Sequence, residues 1–155
     1  MTDAERHHDE AERNMALWHR KPLLRQIYRG FHQQIAHELA GGEGLCVELG
    51  SGIGNIRDVI PNCRRTDLFP KPWLDGVENA YRLSLPDQSV RNLILFDVFH
   101  HLAYPGTALH ECRRVLAAGG RLILFEPCMS LLGRLVYGPM HPEPLGLDAP
   151  IQWLA

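Results

Sequence analysis

Leu45-Cys46-Val47-Glu48-Leu49-Gly50-Ser51-Gly52-Ile53-Gly54-Asn55 is the stretch that decides the fold. Leu45, Cys46, Val47 and Leu49 form a short apolar run carrying a single acid, Glu48, and such a run reads as a buried strand of a parallel sheet. It passes straight into three glycines spaced G-x-G-x-G. Glycine lets the backbone turn sharply and lets a ligand come close where a Cβ would collide. Strand plus bend is the pattern of a nucleotide-type cofactor loop in an α/β sheet.

Upstream of the bend, Leu24, Ile27, Tyr28, Phe31, Ile35 and Leu39 recur at helical spacing after Pro22, and Gly41-Gly42 ends the pattern, so the spacing predicts a helix over 22–40. Residues 1–13 are charged and without periodicity and read as a frayed or helical tail; His7-His8 within it reads as a solvated terminus rather than a metal pair. Trp18, Trp73 and Trp153 read as packing residues.

Downstream, Asn55 is expected to cap a short helical turn stopped by Pro61. A second strand is expected to end near Asp67, a third around Val77–Tyr81, and a fourth over Val90–Phe96. Pro105 opens an amphipathic helix with Ala108, Leu109, Cys112, Val115 and Leu116 on its apolar face, and Gly119-Gly120 is expected to terminate it. Residues 121–126 read as the fifth strand. Helix and strand alternate, which implies a doubly wound, Rossmann-like α/β fold: a mostly parallel sheet with helices on both faces. The Pro-rich segment 128–155 is of another character. Its Leu131–Tyr137 patch reads as ordinary packing and its His141 as part of a surface turn.

The composition is that of one globular domain. The 155 residues are 45% hydrophobic and 22% charged, with 16 basic and 18 acidic residues for a net charge of −2. No stripe of Lys and Arg announces nucleic acid. No apolar run approaches the ~20 residues of a membrane-spanning helix, and a polar N-terminus carries no signal peptide, so a cytoplasmic protein is expected. The four cysteines, Cys46, Cys63, Cys112 and Cys128, form no CxxC pair and read as reduced thiols, and no metal centre is expected.

Two cofactor classes use such a bend. A dinucleotide site wants G-x-G-x-x-G with a phosphate on the following helix; here the third glycine comes one residue early and the following helix is short. A ligand without phosphate suits the chain better. Glu48, the Gly50–Gly54 loop and Asp67 at a strand end, followed by Asn79-Ala80, Leu93–Leu102 and Leu109–Pro127, resemble the class I S-adenosylmethionine-dependent methyltransferases of the "type 11" subgroup over residues 44–127.

The resemblance implies roles by position. Gly50, Ser51, Gly52 and Gly54 approach the methionine and ribose parts of S-adenosylmethionine, and Glu48 orients its ammonium or the loop. Asp67 accepts the ribose hydroxyls, Asn79 and Ala80 flank the adenine, and Asp97 sits near the methionine moiety. Carboxylates at strand ends suit a ligand with two hydroxyls, an ammonium and a sulfonium. His100 and His101, past the fourth strand, read either as a loop element packing near the cofactor or, for one of them, as the base that a hydroxyl or ammonium acceptor needs. Glu126 is expected to orient a loop through backbone hydrogen bonds.

Three domains of character result: 1–21 as a tail, 22–127 as the cofactor domain and 128–155 as part of an acceptor region. Family members add an antiparallel hairpin after the fifth strand, which the Pro-rich segment is not expected to supply. A truncated chain, a naturally shortened member or a fragment is therefore expected, and an open sheet edge left by the missing hairpin would invite a homodimer. The expected activity is methyl transfer to a small-molecule, lipid or glycan-linked acceptor. A non-catalytic cofactor-binding or partner module is the first rival and a nicotinamide enzyme the second.

Overall fold

The computed structural model describes residues 3–127 and 150–155, with the side chains of 3–6 left aside. The order of elements is helix α1 (Asp3–Arg20), helix α2 (Pro22–His37), strand β1 (Leu45–Leu49), β2 (Arg64–Asp67), β3 (Gly76–Val77), β4 (Val90–Phe96), helix α3 (Pro105–Val115) and β5 (Leu116–Phe125). The strands form one sheet in the order β3-β2-β1-β4-β5, and every pairing is parallel. Order and direction are those of a doubly wound sheet whose topological switch lies between β1 and β4, and ligands of such sheets bind at the C-terminal strand ends there.

β4 shows why the sheet needs helices on both faces. Its residues alternate sides yet remain apolar on each. Leu93 and Leu95 join Val47, Leu49 and, from α3, Cys112 and Val115 in one core cluster. Ile94 joins Ile35 of α2, Ile56, Ile60 and Cys63 in the other, with Phe96 packed against it. Burying one such side chain removes about 1.5–3 kcal/mol of apolar exposure, so β4 holds the two layers together. Asn92, the polar residue of its buried run, is satisfied by Ala40: its Oδ1 accepts from the Ala40 amide at 2.7 Å and its Nδ2 donates to the Ala40 carbonyl at 3.2 Å.

Several local expectations are corrected. The glycine pair 119–120 does not end α3. The helix stops at Val115 and the chain enters β5 at Leu116. The pairing with β4 jumps from Leu116 opposite Val90 to Arg121 opposite Asn92, and the glycines occupy the irregularity. A Cβ on Gly120 would lie 2.9–3.0 Å from the carbonyl oxygens of Ala117, Arg91 and Val90, so only glycine lets the strand bulge there. β3 is confined to Gly76–Val77. Beyond it, buried Glu78 accepts from the Ser84 amide and hydroxyl, and these contacts make the segment a turn. Asn55 does not cap: Gly54, at φ 72°, precedes a 3-10 turn over Asn55–Asp58 without a side-chain cap.

Cys46, Cys63 and Cys112 are free thiols, the last two buried. Burial pushes the Cys112 thiol up to about 11. The expectations on Cys128, Leu131–Tyr137, His141 and the terminal hairpin fall outside the described residues. Among the described residues no helix is long and apolar enough to cross a membrane.

Candidate functional site

The bend after β1 is built as its glycines require. Gly50, Gly52 and Gly54 have φ values of 72°, 53° and 72°. A Cβ on Gly50 would stand 2.5 Å from Cγ2 of Val98, so the loop after β4 lies directly against the bend. The Ser51 amide donates to the Thr66 carbonyl at 2.8 Å, and the Thr66 hydroxyl donates to the Glu48 carbonyl at 2.7 Å. These bonds stitch the ends of β1 and β2 together.

Asp67 closes β2 with its carboxylate turned onto the bend. Its Oδ2 accepts from the Gly52 amide at 3.1 Å and from Lys71 Nζ at 2.8 Å. Both side chains are largely covered, Asp67 at 14% exposed and Lys71 at 6%. Oδ1 has no partner among the described residues. Trp73 donates its indole N–H to the Gly52 carbonyl at 3.0 Å and fixes the outer side of the loop.

Glu48 is 3% exposed, and its Oε2 has no hydrogen-bond partner among the described residues. Burial pushes its carboxyl up to about 7, with Asp67 adding to the rise and Ser51 and Arg65 opposing it. A buried acid with an orphan oxygen at a ligand cavity is a receptor for a cationic or hydrogen-bonding group.

That cavity is about 320 Å³. Glu48, Gly50, Ser51, Gly52, Ile53 and Asn55 form its floor with Phe96 and Asp97 from the end of β4, and Leu24 and Tyr28 of α2 form a wall. Asn14, Leu17 and Trp18 of α1 complete it. The N-terminal segment expected as a tail is thus a helix laid over the bend. His7 stacks on Phe69 with ring centroids 4.8 Å apart, and Trp18 meets Tyr28 edge-on at 5.8 Å. The helical spacing of Ala11, Asn14, Met15 and Trp18 is the signal that marks this inner face; the surrounding charge hides it.

The expected site residues divide. Glu48, Gly50, Ser51, Gly52 and Asp97 meet at the cavity. Asp67 and Gly54 do not line it: Asp67 is tied to the edge of the bend through the Gly52 amide, and Gly54 ends the bend. Asn79 and Ala80 do not line the cavity. Asn79 Oδ1 accepts from the Tyr81 amide at 2.9 Å, and Ala80 packs on the α3-side core.

His100 and His101 follow Asp97 on a 3-10 turn, Phe99–His101, with ring centroids 3.9 Å apart. Glu126, at the end of β5, holds this turn as expected: its Oε1 accepts from the Val98 and Phe99 amides at 3.1 and 2.8 Å. Its Oε2 meets His100 Nδ1 at 2.5 Å. Burial raises the Glu126 carboxyl, but His100 and the two amides outweigh it and leave the net shift downward.

The fit to S-adenosylmethionine can be tested on these atoms. The ligand presents an ammonium, ribose hydroxyls and a cationic sulfonium. The site offers an orphan buried acid at Glu48 and a left-handed glycine bend that lines the cavity, with the spare oxygen of Asp67 at the end of β2 beside that bend. The two agree.

Comparison with known proteins bears on the family and the fold. The model of the methyltransferase domain family matches residues 47–124, half of the chain. A probable S-adenosylmethionine-dependent methyltransferase of Mycolicibacterium smegmatis is 29% identical over 128 residues, covering 74% of this chain and 47% of that protein. The chain spans about half the length of that relative. An uncharacterized protein of transposon Tn4556 from Streptomyces fradiae is 35% identical over 77 residues, 49% of this chain and 22% of that protein. Among solved structures, a possible histamine N-methyltransferase from Thermotoga maritima superposes with a TM-score of 0.67 at 24% identity, covering 85% of this chain and 68% of that one. A methyltransferase from Methanococcus maripaludis gives 0.59 at 15% identity, covering 79% and 63%. This chain belongs to the methyltransferase domain family, with the Rossmann-like fold of the class I S-adenosylmethionine-dependent enzymes.

Proposed function

We propose that the chain binds S-adenosylmethionine in the cavity under α1 and transfers its methyl group to a small-molecule, lipid or glycan-linked acceptor. The observation that carries the reading is the Asp67 carboxylate turned onto the Gly52 amide, at the edge of the bend. The bound cofactor supplies a methyl group already activated by the sulfonium. The chain's own work is then alignment and exclusion of water.

Glu48 receives the ammonium through its unpartnered oxygen. Asp67 receives a ribose hydroxyl through Oδ1. Gly50 and Gly52 keep the backbone low enough for the ligand to pass, with Ser51 and Gly54 holding the loop, and Asp97 stands at the methionine end. Asn79 keeps one acceptor lone pair for the adenine after its bond to Tyr81, and Ala80 supports that side. Trp18, Tyr28 and Phe96 shut water out. A hydroxyl or ammonium acceptor gives up its proton to an imidazole nitrogen. His100 is the better placed of the pair, because Glu126 fixes its ring from the Nδ1 side. The functional unit in this reading is 22–127 together with α1.

Calorimetric titration with S-adenosylhomocysteine tests the binding half. Saturable one-to-one binding is expected, and silence at millimolar ligand refutes it. Transfer of labelled methyl to a cell extract tests the other half: binding without transfer turns the reading to a non-catalytic module. His100→Ala and His101→Ala, measured separately, locate the base, and full turnover in both removes it.

A further inference from the structure

We propose that Asp97, His100 and Glu126 form a binding site for a divalent transition-metal cation at the rim of the cavity. The donor set is invisible along the chain, because Asp97 and His100 follow β4 while Glu126 follows the neighbouring β5. The fold brings them together: one donor atom from each lies within 4.8 Å of the others. His100 Nδ1 is 2.5 Å from Glu126 Oε2 and 4.0 Å from Asp97 Oδ1.

Around one ion at metal–ligand distances of about 2.0–2.2 Å, such donors stand roughly 3–3.5 Å apart. Movements of about 1 Å in the exposed Asp97 and His100 side chains reach that spacing. Glu126 is already aimed. The Val98 and Phe99 amides hold its Oε1 and leave Oε2 toward the cluster, the kind of support that orients a metal-ligating carboxylate.

The chemistry of the donors selects the ion. Two carboxylates balance a double positive charge, and an imidazole nitrogen favours Mn²⁺, Fe²⁺, Co²⁺ or Zn²⁺ over Mg²⁺ or Ca²⁺. Three protein ligands leave positions open for water or for an oxygen of an acceptor. Asp97 also lines the cofactor cavity, so the ion and the acceptor share an edge of the site; with an ion on its Nδ1, His100 is a ligand whose Nε2 keeps its hydrogen, and the acceptor's proton then passes to hydroxide on the ion instead.

The site stands on these residues alone, and its test uses no methyl donor, so its failure is separate from failure of the methyl-transfer reading. Untagged full chain carrying His7→Ala and His8→Ala, which removes the exposed terminal pair, is titrated with Mn²⁺, Zn²⁺ and Mg²⁺ by calorimetry. Binding of Mn²⁺ is followed in parallel by the loss of its free-ion resonance signal. One Mn²⁺ or Zn²⁺ per chain is expected, at least tenfold tighter than Mg²⁺. His100→Ala and Asp97→Asn are each expected to weaken Mn²⁺ at least tenfold with unchanged circular dichroism, while His37→Ala, exposed and remote, changes nothing. Glu126→Gln is not relied on, because Glu126 also anchors the loop. Absence of stoichiometric binding, or equal binding in the parent, His100→Ala and Asp97→Asn proteins, overturns the proposal.

Discussion

The Asp67 carboxylate accepts a hydrogen bond from the Gly52 amide at 3.1 Å, which ties the end of β2 to the middle of the glycine bend. The same oxygen holds Lys71 at 2.8 Å. Removing Asp67 alone therefore does two things. It strips the site of a ribose acceptor, and it strands a covered ammonium, a loss that costs about 3–5 kcal/mol for a fully buried pair and less at this partial exposure. The double variant Asp67→Asn with Lys71→Met separates the effects, since Asn keeps an acceptor for Gly52 and Met keeps the apolar stem. The unfolding midpoint of the double variant is expected to stay near the parent's while affinity for S-adenosylhomocysteine falls about tenfold to a hundredfold, the worth of a hydrogen bond to a charged group. Undiminished affinity in calorimetry would remove Asp67 from the site.

Gly50 and Gly52 share a left-handed backbone but not their surroundings. A Cβ on Gly50 meets Val98 at 2.5 Å, whereas one on Gly52 meets nothing within 4 Å. Gly52→Ala carries only the backbone penalty, about 1–2 kcal/mol. Gly50→Ala adds overpacking, typically 1–3 kcal/mol more. Urea unfolding of both is expected to rank Gly50→Ala as clearly the more damaging. Equal losses would mean that the loop after β4 yields freely.

Two buried groups pull stability in opposite directions with pH. Glu48 rises from 4.5 to about 7 on folding. The native state thus holds its proton more tightly than the unfolded chain, so this group destabilises as pH rises from about 4.5 to 7. His32, 1% exposed and without a hydrogen-bond partner at either ring nitrogen among the described residues, falls from 6.5 to about 4 through burial, with Asp58 opposing. The unfolded chain binds that proton first, so this group destabilises as pH falls from 6.5 to 4. Each effect is on the order of 3 kcal/mol at its limit. Relative to the parent, Glu48→Gln is expected to gain stability between pH 4.5 and 7, and His32→Phe to gain it as pH drops from 6.5 to 4. Chemical denaturation at several pH values measures both, and parallel profiles for parent and variants would contradict the assignment.

The ionisation of Glu48 also couples to the ligand. An ammonium placed beside a carboxyl that is half-protonated near pH 7 drives its proton off. Titration with S-adenosylhomocysteine in buffers of differing ionisation enthalpy is expected to show proton release at pH 6–7 that disappears in Glu48→Gln. The same release in the variant would place the ammonium elsewhere.

How much of this was legible along the chain depends on how each element is stabilised. β1, β4 and α2 announce themselves, because burial on both faces or on one stripe leaves an apolar pattern with a definite period. The place of Asp67 at the end of β2 is legible because the strand pattern stops there. α3 and β5 misled at their junction. The glycines there serve a bulge against β4 rather than a helix end, and nothing local distinguishes the two. Lys71 stands between Pro70 and Pro72, where nothing local marks it as a partner, yet it neutralises Asp67. Glu126 was readable as a loop anchor, but its meeting with His100 depends on β4 and β5 being neighbours. α1 was hardest: its charged outer residues look like a solvated tail, and the few residues of its inner face acquire meaning only over the bend.

α1 is attached lightly, and that attachment can be measured. Among its described side chains only Ala11 is buried. At its end, Arg25 of α2 donates to the Trp18 and His19 carbonyls, both at 2.8 Å. Elements held by so few buried contacts open at low free-energy cost. Hydrogen exchange is expected to run faster in α1 than in α2 or β4 in the free protein. A ligand filling the cavity would contact Asn14, Leu17 and Trp18, so S-adenosylhomocysteine is expected to slow exchange across residues 11–20 while leaving β4 unchanged. Trp18→Ala should abolish most of that slowing and weaken binding several-fold. If exchange in α1 ignored the ligand at saturation, the helix would be a neighbour of the site and not its roof.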